Sequence, residues 1–267
     1  MLMDNLKKEQ VKKREVSLIT GGGGFFAYQH AIAMHEIKKE IILVDINKKK
    51  LVNIKKKLLK IKINVHIFRA DISKEIEVVK LKKFILNRFK RLDILINNAS
   101  IDHVPNKKNK SFSNFDLKSW NKEINVGLTG AFLCSKILGT IMERKKGGII
   151  LNVSSDLSII APDQRIYSHL NFEKPITYSV IKHGLLGLTK YLAAYWGKYN
   201  VRVNCISPGG IENNQNKVFI KKIKKLIPLG RMAEMNEYVG AIKFLCSNDS
   251  SYMTGQNIVI DGGRSII

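Results

Sequence analysis

Tyr178 and Lys182 stand four residues apart in Thr177-Tyr178-Ser179-Val180-Ile181-Lys182, a spacing that brings both side chains to one face of a helix. An ammonium beside a phenol favours the phenolate, which makes the tyrosine a usable donor and acceptor of a proton. With 37 Lys and eight Tyr in 267 residues, about one such pair is expected by chance, and one is found. The pair therefore takes its meaning from its companions. Upstream lie Ser154 and Ser155, whose hydroxyls could hold a substrate oxygen, and far ahead of them a run of four glycines at 21–24. In this order the residues fit a proton-transfer site served by a nicotinamide dinucleotide.

Such groups need a scaffold that gathers loops at one end. Residues 16–20 form a short apolar, partly β-branched run that meets the glycines, and 26–38 is compatible with a helix. Further apolar runs at 41–45, 65–70, 93–97, 148–153, 201–206 and 257–260 alternate with helical segments. These are a lysine-rich helix that Asn47 can cap, then 74–90, 115–144, 177–199 and 236–246. Strands that are apolar throughout and alternate with helices imply an α/β fold, a doubly wound (Rossmann) parallel sheet of about seven strands with helices on both faces. Residues 16–267 read as one domain of this type behind a charged N-terminal extension, 1–15.

The segment Thr20-Gly21-Gly22-Gly23-Gly24-Phe25-Phe26-Ala27 falls between the first strand and the first helix, where backbone N–H groups and the helix dipole can accept a pyrophosphate. Asp45 closes the second strand, placing a carboxylate where it can accept hydrogen bonds from an adenosine ribose and repel a 2′-phosphate. This favours NAD over NADP.

Composition narrows the remaining possibilities. A chain of 267 residues with 45% hydrophobic content can bury a full core. Three widely spaced cysteines, Cys134, Cys205 and Cys246, suit core positions in a reducing compartment better than disulfides or a metal site, so the cytoplasm is expected and no metal is. Residues 1–15 lack the apolar core of a signal peptide, and no apolar run approaches the roughly 20 residues of a membrane span. The net charge of +24 gathers in short lysine runs, 48–50, 55–57 and 221–225, without interleaved aromatics. They read as solvated helix faces, with no nucleic-acid partner expected.

With these pieces in order, the chain resembles the short-chain dehydrogenase/reductase family from Thr20 to Gly263. The resemblance rests on the glycine turn and the Tyr178–Lys182 pair, with Asn97-Asn98-Ala99-Ser100, Asn125, Asn152-Val153-Ser154-Ser155, Arg202-Val203-Asn204-Cys205-Ile206-Ser207-Pro208-Gly209, Thr254-Gly255-Gln256 and Asp261-Gly262-Gly263. It implies an oxidoreductase in which Tyr178 is the general acid/base and Lys182 holds the nicotinamide ribose and steadies the phenolate. It further implies that Ser155 binds the substrate oxygen and that Asn125 helps order a lysine-to-solvent proton relay. On the cofactor side it implies Gly21, Gly24, Phe25, Phe26 and Asp45, with Asp71 and Ile72 bordering the adenine, Asn97 and Ala99 beneath the nicotinamide, and Pro208, Gly209 and Ile211 on its carboxamide side. Departures are Phe25 and Ala27, where shorter members of the family carry glycine, Ser100 in place of Gly, and Asn213 in place of Thr.

Residues 156–177 make the interval between Ser155 and Tyr178 roughly ten residues longer than the family commonly uses, an insertion over the site that should carry specificity. It contains Arg165, Tyr167, His169 and Lys174, and the loop after Pro208 adds Glu212, Asn213, Asn214 and Lys217. A polar, cationic lining suits an anionic small molecule such as a sugar phosphate or nucleotide sugar. The insertion, Ile160-Ala161-Pro162 and Ser207-Pro208-Gly209-Gly210-Ile211 with Asn213-Asn214-Gln215 resemble the flagellin-modification and surface-polysaccharide oxidoreductase branch. Two alternatives stand beside this: a 3-oxoacyl-carrier-protein reductase, and a non-catalytic dinucleotide sensor or nucleic-acid-binding Rossmann protein. Kinship also implies a homotetramer or homodimer built on the long helices.

Overall fold

A computed structural model describes residues 14–101, 111–170 and 172–267, so the expected N-terminal extension lies outside the described residues except for its last two. The strands β1 (Val16–Thr20), β2 (Glu40–Asp45), β3 (His66–Arg69), β4 (Ile94–Asn97), β5 (Gly148–Val153), β6 (Val201–Pro208) and β7 (Asn257–Ile260) form one sheet in the order β3-β2-β1-β4-β5-β6-β7. All neighbouring strands run parallel, with β1 registered on β2 through Leu18 and Ile42 and on β4 through Leu18 and Leu95. The order reverses between β1 and β4, and a doubly wound sheet opens a crevice for a ligand at that point.

Burial explains the strands. Every side chain of β1 is buried, as are the four central residues of β2 and all of β4, because helices cover both faces. One face packs α1 (Ala27–Glu36), α2 (Lys48–Lys60) and α8 (Val239–Leu245) on a core that includes Ile19, Leu43, Leu51, Ile96 and Leu245. The other packs α3 (Glu75–Arg88), α5 (Gly130–Arg144) and α6 (Ile176–Trp196) on Leu18, Val44, Leu81, Leu138 and Trp196. Each such fully buried large apolar side chain contributes about 1.5–3 kcal/mol relative to exposure. The lysine-rich α2 holds because Leu51 and Leu58 share its inner face and Asn47 caps it, accepting from Lys50 N at 3.0 Å. Burial pushes the thiols of Cys134, Cys205 and Cys246 up to about 12, leaving them protonated core residues.

The helix expected over 115–144 is not continuous. It divides into α4 (Leu117–Ile124), a π-turn (Asn125–Thr129) and α5. Two glycines mark the break: a Cβ on Gly127 would lie 2.8 Å from Ile181 Cγ2, and one on Gly130 would lie 2.8 Å from Ile72 Cδ1. Close approach to neighbours on two sides thus replaces regular winding, and π-turns recur at functional sites. Leu117–Arg144 as a whole is long and apolar enough in composition to cross a bilayer, but α5 is a core helix here, with Leu133, Leu138 and Met142 buried.

The 156–177 insertion has a core of its own. Ile166, Tyr167 and Phe172 pack against Phe219 and Ile223 of α7 (Lys217–Lys224), together with Ile227 and Met232. The lysine run at 221–225 is therefore the outer side of an amphipathic helix whose inner side closes the insertion.

Candidate active site

The turn after β1 is shaped by glycine where a side chain would not fit. Gly21 has φ +65°, and a Cβ there would lie 2.9 Å from Ala99 Cα; one on Gly22 would lie 2.7 Å from Leu43 Cβ. Gly24 N donates to Gly21 O at 2.8 Å, which closes the turn. The helix that follows has no side-chain cap at Phe26 and no acid in its first turn, so its N-terminal N–H groups suit a pyrophosphate. Asp45 is half-buried beside this turn, its Oδ2 accepting from Gly23 N at 3.0 Å and its Oδ1 from Asn47 N at 2.8 Å. Backbone bonds therefore orient the carboxylate expected to meet a ribose.

Thr20 and Asn98 knit this turn to the loop after β4. Thr20 Oγ1 accepts from Asn98 N at 3.0 Å and Ala99 N at 3.1 Å, and Asn98 Nδ2 donates to Thr20 O at 2.9 Å. Asn98 Oδ1 lies 3.1 Å from Nε2 of His30, a buried imidazole whose pKa burial lowers to about 4 and which is therefore neutral.

Several expected cofactor contacts are revised by burial. Asn97 does not present its side chain to a cleft: it is buried, with Nδ2 donating to Ser135 Oγ at 3.0 Å and Asn152 Oδ1 at 2.9 Å. Phe26 packs its ring on His30 and Tyr238, while Phe25 stays exposed. The side chains of Ile72 and Ile211 are buried, so backbone atoms are what these two positions offer. Asp71 is half-buried, with Oδ1 accepting from Ser73 N and Oγ. Pro208 ends β6 opposite Ile260, and Gly209 N donates to Ile260 O at 2.8 Å; a Cβ on Gly209 would lie 2.7 Å from Asp261 Cα.

At the carboxyl end of β5 the structure brings Lys182 against Val153, Ser154 and Tyr178. Lys182 is buried, its Nζ donating to Val153 O at 2.9 Å and lying 5.4 Å from the Tyr178 ring centroid. The two serines separate in role. Ser154 Oγ donates to the backbone oxygen of Lys182 at 2.8 Å, which ties β5 to α6, whereas Ser155 Oγ donates to Asp156 Oδ1 at 2.8 Å. Asp156 is in turn paired with Arg264 at 2.8 Å, both buried. This pair joins residues 108 positions apart, and no local pattern announces it.

Asn125 opens the π-turn. Its side chain is exposed and lies 3.5 Å from Thr129 Oγ1 on its own helix, whereas the buried residue of the π-turn, packed on Ile181, is Gly127. The insertion also differs from its expected part. Tyr167 is a core residue, Arg165 is exposed and pairs with Asp163, and His169 lies 3.3 Å from Asn216 Oδ1. Lys174 is the one that reaches the site, with Nζ 3.7 Å from the Tyr178 ring centroid.

Known proteins share this architecture. A family profile described as Enoyl-(Acyl carrier protein) reductase matches residues 26–265. Over 263 residues the chain is 30% identical to an uncharacterized oxidoreductase of Thermotoga maritima, covering 95% of this chain and 98% of that protein. It is 32% identical over 203 residues to the NAD-dependent glycerol dehydrogenase of Listeria innocua, with 74% of each chain covered. The crystal structure of a short-chain dehydrogenase from Leptospira borgpetersenii with bound NAD+ superposes with a TM-score of 0.81 at 33% identity, covering 95% of this chain and 93% of that one.

Proposed function

The chain belongs to the short-chain dehydrogenase/reductase family, and from that premise we propose that it oxidises, reversibly, a hydroxyl of an anionic sugar, a sugar phosphate or nucleotide sugar, with NAD as acceptor. As an NAD(P)-dependent oxidoreductase it acts on CH–OH and keto groups, and a bound nicotinamide supplies the hydride chemistry. The observation that carries the reading is the buried Lys182 beside Tyr178 at the carboxyl end of β5, where Ser155 follows the strand, on the sheet edge that also bears the glycine turn. Tyr178 takes the hydroxyl proton on oxidation and returns it on reduction, Lys182 favours the phenolate, and Ser155 binds the substrate oxygen by turning its one hydroxyl hydrogen from Asp156 to it.

Asp45 supports NAD, since a carboxylate aimed by two backbone N–H groups would repel a 2′-phosphate. The anionic substrate is supported by Lys174, the cation that the insertion brings to the Tyr178 ring, and by a basic surface on α7, which packs on the insertion. Lys217, Lys221 and Lys225 are exposed on and just beyond α7, while Lys222 pins the insertion and Lys224 pairs with Glu212. The insertion and the segment after Pro208 carry the likeness to the flagellin-modification and surface-polysaccharide branch, and with it a role in surface-glycan biosynthesis. Three protonated, buried cysteines suit the reducing cytoplasm, and kinship suggests a homo-oligomer.

Incubating purified protein with NAD or NADP and nucleotide sugars, sugar phosphates, uncharged polyols and 3-oxoacyl thioesters tests this. We expect NADH formation with a charged sugar. Turnover of 3-oxoacyl thioesters but of no sugar would overturn the substrate assignment in favour of the acyl reductase, the reading closer to the description of the matching family profile.

A further inference from the structure

Two ammonium groups flank one phenol. Lys182 approaches Tyr178 from the next turn of α6, with Nζ 5.4 Å from the ring centroid, and Lys174 lies closer, 3.7 Å from the same centroid. Lys174 precedes α6 and is delivered by the insertion. Its backbone is clamped, because the side-chain amide of Gln164 accepts from Lys174 N at 2.9 Å and donates to Lys174 O at 3.0 Å, as a neighbouring strand would. Pro175 follows as the residue before the helix, its ring fixing the chain direction into Ile176. The insertion is itself seated on α7 through Tyr167 and Phe172, and Lys222 Nζ donates to Arg165 O at 3.2 Å and Ser168 Oγ at 3.0 Å. A folded element, and not the tip of a loose loop, thus places this lysine.

An ammonium on a neutral phenol ring makes a cation–π contact; once the phenol ionises, the same ammonium meets a full negative charge and is held more strongly. We propose that Lys174 is a second cation acting on Tyr178, so that the insertion sets the acidity of the proton-transfer residue as well as covering the site. Among the described residues, Lys118 and Lys122 of the neighbouring α4 are exposed, and four other titratable groups nearby have partners of their own. Glu173 accepts from Phe112 N, Glu123 of α4 from Thr177 Oγ1, Asp156 is held by Arg264, and the His183 ring donates from Nδ1 to Ser179 O.

The inference rests on Tyr178 being the proton-transfer residue, but its test reads the phenol without any turnover. The full chain, labelled with ζ-13C tyrosine, is titrated by NMR, and the Tyr178 signal is assigned by its absence in Tyr178→Phe. In Lys174→Met the Tyr178 midpoint should rise by about 1–3 pH units, the effect of removing a neighbouring opposite charge. Lys174→Arg should stay near wild type, Gln164→Ala should rise part of the way, and the other tyrosines should not move. Coincident Tyr178 titrations in wild type and Lys174→Met, with the other tyrosine signals unchanged to show an intact fold, would overturn the proposal. Should Lys174→Met disturb those signals, the same comparison is made with Lys174→Gln. Turnover surviving in Tyr178→Phe would instead remove the reading of the site and leave the titration result standing, so the two fail separately.

Discussion

Ser155 Oγ donates its hydrogen to Asp156 Oδ1 at 2.8 Å, and Arg264 holds the other oxygen of that carboxylate at 2.8 Å. The hydroxyl expected to bind substrate is thus oriented by an ion pair with almost no solvent exposure. Removing one partner of such a pair strands a buried charge. Arg264→Met should destabilise the fold by about 3–5 kcal/mol, read as a lower urea midpoint at unchanged slope. A loss under about 1 kcal/mol would place the pair with solvated ion pairs and deny it that orienting role.

Tyr178→Phe deletes only the phenolic oxygen, and the ring can still stack beneath Lys174. The variant should fold and bind NAD as the wild type does while turnover falls at least about a hundredfold, the usual lower bound for losing a general acid/base. Isothermal titration with NAD and initial rates at one pH separate the two effects. Turnover within a few-fold of wild type would assign the proton transfer elsewhere.

Local pattern made much of this molecule legible in its sequence. Strands buried on both faces read as unbroken apolar runs, a glycine turn followed by an acid at the end of the next strand marks a dinucleotide fold, and helical spacing pairs Tyr178 with Lys182. What escaped was decided by tertiary contact. Asn97 reads as a cleft residue until β5 brings Asn152 within 2.9 Å of its amide. Arg264 meets Asp156 only because the chain end returns to the carboxyl edge of the sheet, and Lys174 reaches Tyr178 only because Gln164 folds the insertion back on itself. The π-turn could not be read from periodicity, since it interrupts the helix at glycines whose neighbours come from other elements.

Asp45→Ala should loosen the glycine turn along with the ribose site, because Gly23 N and Asn47 N both lose their acceptor. NAD affinity should fall about tenfold, about 1.4 kcal/mol, and the preference for NAD over NADP should narrow by a similar factor. Parallel titrations with the two dinucleotides measure both. An unchanged NAD/NADP ratio would show that the discriminating group lies elsewhere.

His30 gives the fold a sensitivity to mild acid. Burial holds its folded pKa at about 4, below the 6.5 of an ordinary imidazole, so below pH 6.5 the unfolded chain binds a proton that the folded chain refuses. Stability from this group is complete above pH 6.5, declines as the pH falls, and levels off near 4, a loss on the order of 3 kcal/mol. Urea unfolding across that window should show the decline, and His30→Gln, which keeps a polar group for Asn98 but cannot titrate, should flatten it. An equal slope in both proteins would move the effect to other groups.

Gly127 and Asn125 make opposite predictions about which residue of the π-turn serves the site. A Cβ at Gly127 would sit 2.8 Å from Ile181 Cγ2 and 3.0 Å from its Cδ1, and Ile181 is buried and immediately precedes Lys182. Gly127→Ala should therefore lower stability by about 1–3 kcal/mol through overpacking and reduce turnover by displacing Lys182, with NAD affinity less affected. Asn125 is exposed and its side chain lies 3.5 Å from Thr129 Oγ1 of the same turn, so Asn125→Ala should change stability by less than about 0.5 kcal/mol and leave turnover close to wild type. Melting curves and initial rates on the two variants decide between them. If Asn125→Ala abolished turnover while Gly127→Ala did not, the face of the π-turn that meets α6 would be the reverse of the one described.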